Sequence, residues 1–158
     1  MRLLPAFLAT ILLSGSLLPL PTTGSAQDAV GMTSSSSGTG FGAALNQFRA
    51  NYGLGGLRED RHLSAAAQAY AEDMARNKYF SHTGRDGSNH AQRARAAGCR
   101  GRGYLAENIA WGQRSAQAAF TGWANSAGHR ANMLGRPYGV FGLGQSQGMW
   151  VLMFADDC

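Results

Sequence analysis

The spacing of apolar residues divides the chain into helices followed by strands. In FGAALNQFRANYGLGGL, Phe41, Leu45 and Phe48 recur at helical spacing, with Ala44 and Tyr52 on the same side. Gly53 ends that helix, and Gly55-Gly56 turns the chain. The strongest periodic run is LSAAAQAYAEDMARNKYF. Ala67, Tyr70, Ala71 and Met74 form its inward stripe, Ser64 is placed to cap it, and Glu72 and Arg76 stand one turn apart on the outside. HTGRDGSN reads as a loop, and NHAQRARAAG as a short polar helix stopped by Gly98. GYLAENIAWG is short, apolar and irregular around Glu107. SAQAAFTGWANS predicts a further helix with Ala119, Phe120 and Trp123 inward. WANSAGHRANML has the look of a short helix anchored by Trp123, Met133 and Leu134.

The period then changes. Val140, Phe141 and Leu143 precede QSQG, and MWVLMF follows it, which predicts a β-hairpin. Its second strand is apolar throughout, so it belongs in a sheet covered by helices on both faces. Helices first and strands last point to an α+β sandwich with an antiparallel sheet. There is no internal repeat.

The pattern ahead of Phe41 is different. Arg2, the apolar run Leu3 to Leu13, and Gly24-Ser25-Ala26 before Gln27 have the layout of a secretory signal peptide over residues 1–26. A membrane anchor is the alternative. The run is broken by Pro5, Ser14, Gly15 and Pro19, and falls short of the roughly 20 apolar residues a spanning helix needs. Residues 27–40, QDAVGMTSSSSGTG, have nothing to bury and read as a flexible leader. A single domain, 41–158, follows. The expectation is a secreted or periplasmic protein with no transmembrane segment in its mature form.

Export bears on the cysteines. The two, Cys99 and Cys158, meet oxidising conditions, so either they pair or they remain as separate thiols. The reading adopted is one Cys99–Cys158 bridge, because an exposed terminal thiol is reactive. Charge adds less. With Arg2 removed, 13 basic and 9 acidic side chains leave a net +4. Arg85, Arg93, Arg95, Arg100 and Arg102 cluster with only Asp86 opposing, but no aromatics interleave them. They read as a solvated face, and no nucleic acid is expected.

The candidate chemistry lies in the histidines. His62 and His90 border helices among charged residues and read as surface groups. His82 stands where an amphipathic helix gives way to a loop. His129 sits among Asn125, Ser126, Gly128 and Asn132. Glu107 is the one carboxylate in an apolar stretch and needs a partner. An imidazole is a good one, since each group favours the charged form of the other. These residues point to a cleft of His82, Glu107 and His129, lined by Ser126 and Asn132. Three separately satisfied polar groups are the alternative.

LNQFRANYGLGGL, AQAYAEDMARNKYFSHTGRDG, RARAAG, AENIAWG and WANSAGHRANML follow one another in an order and spacing that resembles the CAP superfamily. That superfamily takes in cysteine-rich secretory proteins, insect antigen 5, plant pathogenesis-related proteins and many bacterial secreted proteins. The resemblance runs from about Leu45 to Phe154 and is closest to the bacterial branch. It implies a three-layer α-β-α sandwich with a central antiparallel sheet. Animal and plant relatives carry a cleft of two histidines and two acidic residues. By this resemblance His82 stands at the first histidine and Glu107 at the glutamate of the Glu-Asn motif. The second glutamate, three residues after a tryptophan, is Ser126 here. The strand GMWVLMF lacks the family's histidine, with Val151 and Leu152 in place of threonine and glutamine. His129 offers an imidazole from the neighbouring helix instead.

Two functions are consistent with this pattern. One is a binding module for an apolar or cell-envelope ligand, with His82 and His129 able to hold zinc or another divalent metal. The other is a metal-dependent or Ser/His hydrolase, with Ser81 or Ser126 beside an imidazole. Against the second, HExxH and a nucleophile elbow are both absent.

Overall fold

The structure is a computed structural model that describes residues 36–158, with side chains described from Gly40 onward. The expected signal peptide and its cleavage site lie outside these residues. Five helices and four strands follow in the order α1 (Ser36–Ala50), β1 (Arg58–Glu59), α2 (Arg61–Asn77), α3 (His90–Ala96), β2 (Leu105–Trp111), α4 (Ala116–Asn125), α5 (Ala127–Met133), β3 (Val140–Ser146) and β4 (Met149–Ala155). Helix α1 begins at Ser36, so residues 36–40 of the stretch read as a leader are helical.

The strands form one sheet in the order β1-β3-β4-β2. β3, β4 and β2 are antiparallel, as the hairpin pattern predicts. To this expected antiparallel sheet the structure adds one short parallel edge. The two-residue β1 joins the edge in parallel, Arg58 opposite Val140. GYLAENIAWG also differs from its reading, because it forms the regular strand β2, paired along its length with β4. Its polar Glu107-Asn108 step hides the pattern, since each of the two side chains is buried on a different face.

Strand β4 is buried at every position and sorts the two halves of the core. Met149, Val151, Met153 and Ala155 face α2 and α3, beside Leu63, Ala67, Met74 and Ala94. Trp150, Leu152 and Phe154 face α1, α4 and α5, beside Phe41, Leu45, Trp123 and Met133. This gives the α-β-α layering. Helix α2 lies directly on β3, where Gly142 and Gly144 leave its backbone room. A Cβ on Gly144 would sit 2.2 Å from the Gln68 amide nitrogen, and one on Gly142 would sit 2.2 Å from the Leu63 carbonyl carbon.

Local signals set the helix ends. Helix α2 starts earlier than Ser64: Asp60 is the cap, its carboxylate accepting from the His62 and Leu63 amides at 2.8 and 3.2 Å. Asn89 and Gln92 form a capping box on α3. The helical look of WANSAGHRANML resolves into two helices that meet at Ser126, whose backbone is extended. Cys99 and Cys158 are disulfide-bonded, tying the turn after α3 to the last residue.

Candidate functional site

Glu107 projects from β2 toward α3 and the loop after α2, with its side chain only 1 % exposed. Both carboxylate oxygens are bound. Arg93 of α3 donates from Nη2 to Oε2 at 2.8 Å, and His82 Nδ1 lies 2.8 Å from Oε1. An ionised carboxylate only accepts, so His82 Nδ1 carries the proton in that bond. Among the described residues its Nε2 has no hydrogen-bond partner, and the side chain is 55 % exposed.

Arg93 is held as firmly as the carboxylate it meets. Its Nη1 donates to the Ser88 carbonyl at 2.7 Å and its Nη2 to the His82 carbonyl at 3.1 Å. The guanidinium carbon lies 3.4 Å from the centroid of the Tyr70 ring, a cation–π contact. The Tyr70 hydroxyl donates to the Ser81 carbonyl. One arginine therefore fixes the carboxylate and the loop that presents His82. The sequence pattern puts Arg93 with its neighbours on a solvated face, but its side chain is 10 % exposed. The signal that could have found it was Glu107, because a carboxylate buried in a strand calls for a cation.

His129 does not join this chain of bonds. It lies on α5, with Nδ1 2.9 Å from Ser126 Oγ. Its pKa is held below the ordinary histidine value, first by burial and then by repulsion from His82. Asn108 Nδ2 donates to the His129 carbonyl at 3.0 Å, and Asn132 Nδ2 donates to Asn108 Oδ1 at 2.8 Å. Fully buried Asn108, which the pattern did not single out, thus joins β2 to α5. Of the five predicted residues, His82 and Glu107 bond directly, and Ser126 bonds His129. Asn132 bonds Asn108 and reaches the Glu107 carbonyl at 3.4 Å.

The other histidines are less exposed than their surface reading. His62 and His90 are both half-buried. His62 Nδ1 sits 3.5 Å from the Asp60 carboxylate and has no hydrogen-bond partner among the described residues.

This geometry limits the chemistry. A resident zinc takes at least three protein donors. No group of three His, Cys, Asp or Glu side chains among the described residues is placed to hold one. Glu107 could serve as a third donor only by leaving Arg93 or His82, so the cluster does not fit a resident three-ligand metal. For Ser/His chemistry, Ser126 is beside an imidazole, but Glu107 orients His82 rather than His129. The Ser81 hydroxyl accepts from the Thr83 amide at 3.0 Å and stabilises its own turn.

Comparison with known proteins agrees with the architecture. The uncharacterized membrane protein YlbC of Bacillus subtilis is 34 % identical over 104 residues, which are 63 % of this chain and 28 % of YlbC. YkwD of the same organism is 32 % identical over 111 residues, 69 % of this chain and 43 % of YkwD. The chain spans less than half the length of either relative. Among solved structures, an extracellular SCP-domain protein from Bacillus anthracis aligns with a TM-score of 0.71 and 27 % identity, over 74 % of this chain and 39 % of that one. An outer surface protein of Borrelia burgdorferi, 18 % identical, shares the fold with a TM-score of 0.69 over 80 % of this chain and 97 % of its own. No helix of the described residues is long and apolar enough to cross a membrane. The profile of CAP, the cysteine-rich secretory protein family, matches residues 43–151, and the chain belongs to that family.

Proposed function

We propose that this protein is exported and that its CAP domain works as a binding module, the ligand meeting the imidazole edges of His82 and His129. One observation carries the reading. The buried Glu107–Arg93 pair anchors His82 by Nδ1 while 55 % of its side chain stays exposed. An imidazole fixed in this way loses little freedom when it binds, which favours recognition. His82 and His129 would be the residues to hold a labile divalent metal, which would supply a Lewis-acidic centre for donors of an apolar or cell-envelope ligand. Glu107 is not a ligand in this scheme. The imidazoles must be neutral to take the ion, so affinity falls as pH drops through the histidine range. The hydrolase alternative has less support, because among the described residues no carboxylate bonds His129, whose Nδ1 meets Ser126 instead.

Calorimetric titration with zinc and with copper at pH 7.5 tests the reading. Heat and bound metal are expected for the wild type and for His62→Ala and His90→Ala, and neither for His82→Ala. No heat, with no metal by elemental analysis, would remove the metal. Casein hydrolysis by the wild type that Ser126→Ala abolishes would replace the binding reading with the hydrolase. N-terminal sequencing of exported material should begin at Gln27, and a retained Met1 would reject processing there.

A further inference from the structure

A second candidate site, lined by neither His82 nor His129, lies between the C-terminal end of α2, the end of β2 and the β3–β4 turn. It is a cavity of about 380 Å³ lined by Lys78, Tyr79, Phe80, Trp111, Gln147 and Met149. That volume is within the range of small-molecule sites. Phe80 and Trp111 are large apolar side chains left 46 % and 64 % exposed. Their rings sit 6.5 Å apart and tilted at 37° to each other, forming a continuous aromatic wall. Met149 adds a buried thioether at the base.

Two further features concentrate here. Among the described residues only Lys78 and Gln147 adopt positive φ without being glycine, at 54° and 47°, and both line this cavity. Lys78 occupies the left-handed C-cap of α2, where glycine or asparagine is the unstrained choice. Gln147 opens the two-residue hairpin turn, where asparagine, aspartate or glycine is favoured. Strained backbone is kept where a side chain is needed in place. Lys78 is also the chain's only lysine, against 13 arginines. It takes part in none of the ion pairs among the described residues. Among the described residues no acidic side chain lines the cavity. The cavity thus offers an apolar ring surface beside an unmatched ammonium.

We propose that this cavity is a binding site for a small planar ring compound carrying a carboxylate, the ring stacking on Trp111 and Phe80 and the carboxylate meeting Lys78. The amide of Gln147 supplies a further hydrogen bond at the rim. The charge argument selects an anion, because a cationic ring compound would meet the ammonium with nothing to neutralise it. The site is independent of the His82–His129 reading.

The test is calorimetric titration of the mature chain with 2-naphthoate and, separately, with the cation 2-naphthylmethylammonium. Naphthoate is expected to bind the wild type about tenfold more tightly than the cation, a modest charge effect at a partly exposed site. Trp111→Ala should weaken naphthoate about tenfold through loss of the stacking surface. Lys78→Gly should remove the preference for the anion while raising the melting temperature, since glycine relieves the left-handed position. That gain separates loss of binding from loss of folding. His82→Ala should bind naphthoate as the wild type does. No binding at millimolar ligand, equal affinity for the two charges, or indifference to Trp111→Ala overturns the proposal.

Discussion

Arg93 and Glu107 form a buried ion pair, Nη2 to Oε2 at 2.8 Å, with side chains 10 % and 1 % exposed. The pair links α3 to β2, and through the His82 carbonyl and Nδ1 it also sets the loop that follows α2. A charge inside this site is tolerable only while its partner remains.

Removing the cation alone should therefore be costly. Arg93→Ala leaves the Glu107 carboxylate in the core and should lose about 3–5 kcal/mol of stability. Arg93→Lys should recover part of it, because an ammonium keeps the charge but not the fork that reaches Ser88 and His82 together. Urea denaturation measures both. A loss below about 1 kcal/mol for Arg93→Ala, as for an exposed pair, would contradict the arrangement.

The pH dependence follows from His129, whose pKa is lowered by burial and by His82. The unfolded chain titrates there near roughly 6.5. Below that pH the unfolded state takes up a proton that the folded state resists. Stability is therefore full above about 6.5 and declines as pH falls beneath it. Proton NMR should find His129 titrating below the ordinary value, and His82→Ala should move it upward. A His129 that titrates at or above about 6.5 would reject both statements.

The Cys99–Cys158 bridge closes a sequence separation of 59 residues. Restricting an unfolded loop of that length corresponds to about 4 kcal/mol on the chain-entropy account. The double Cys→Ser variant should melt several degrees lower. Intact mass under oxidising conditions should show no free thiol, and two free thiols would be incompatible with the structure.

Close approach of α2 to β3 gives a packing prediction. Gly144→Ala places a methyl where the Gln68 amide nitrogen and the Ala67 carbonyl carbon already lie, at 2.2 and 2.3 Å. The helix must lift off the sheet, at a cost of about 1–3 kcal/mol or more. Gly128→Ala meets nothing within 4 Å among the described residues apart from its chain neighbours and its own helix backbone, and should change little. Thermal melts of the two variants, compared side by side, decide it.

Periodicity by itself determined most of the architecture. The stripe Ala67, Tyr70, Ala71 and Met74 is buried as its spacing predicts, and the uniformly apolar MWVLMF is the strand covered on both faces. These patterns depend on neighbours along the chain and on one repeating geometry, so sequence alone carries them. The even cysteine count and export pattern pointed to a pairing that the fold makes.

Tertiary structure decided what depends on partners far apart in sequence. Arg93 looks like its neighbouring arginines until α3 is set against β2 and aims it at Glu107, 14 residues on. Strand β2 looked irregular because its polar pair is satisfied from elsewhere, Glu107 by Arg93 and His82 and Asn108 by α5. The parallel β1 edge, only two residues long, has no period to read. His82 and His129 could be named from their surroundings. Which ring nitrogen each leaves free follows only from what binds the other, a matter of distances that no spacing along the chain encodes.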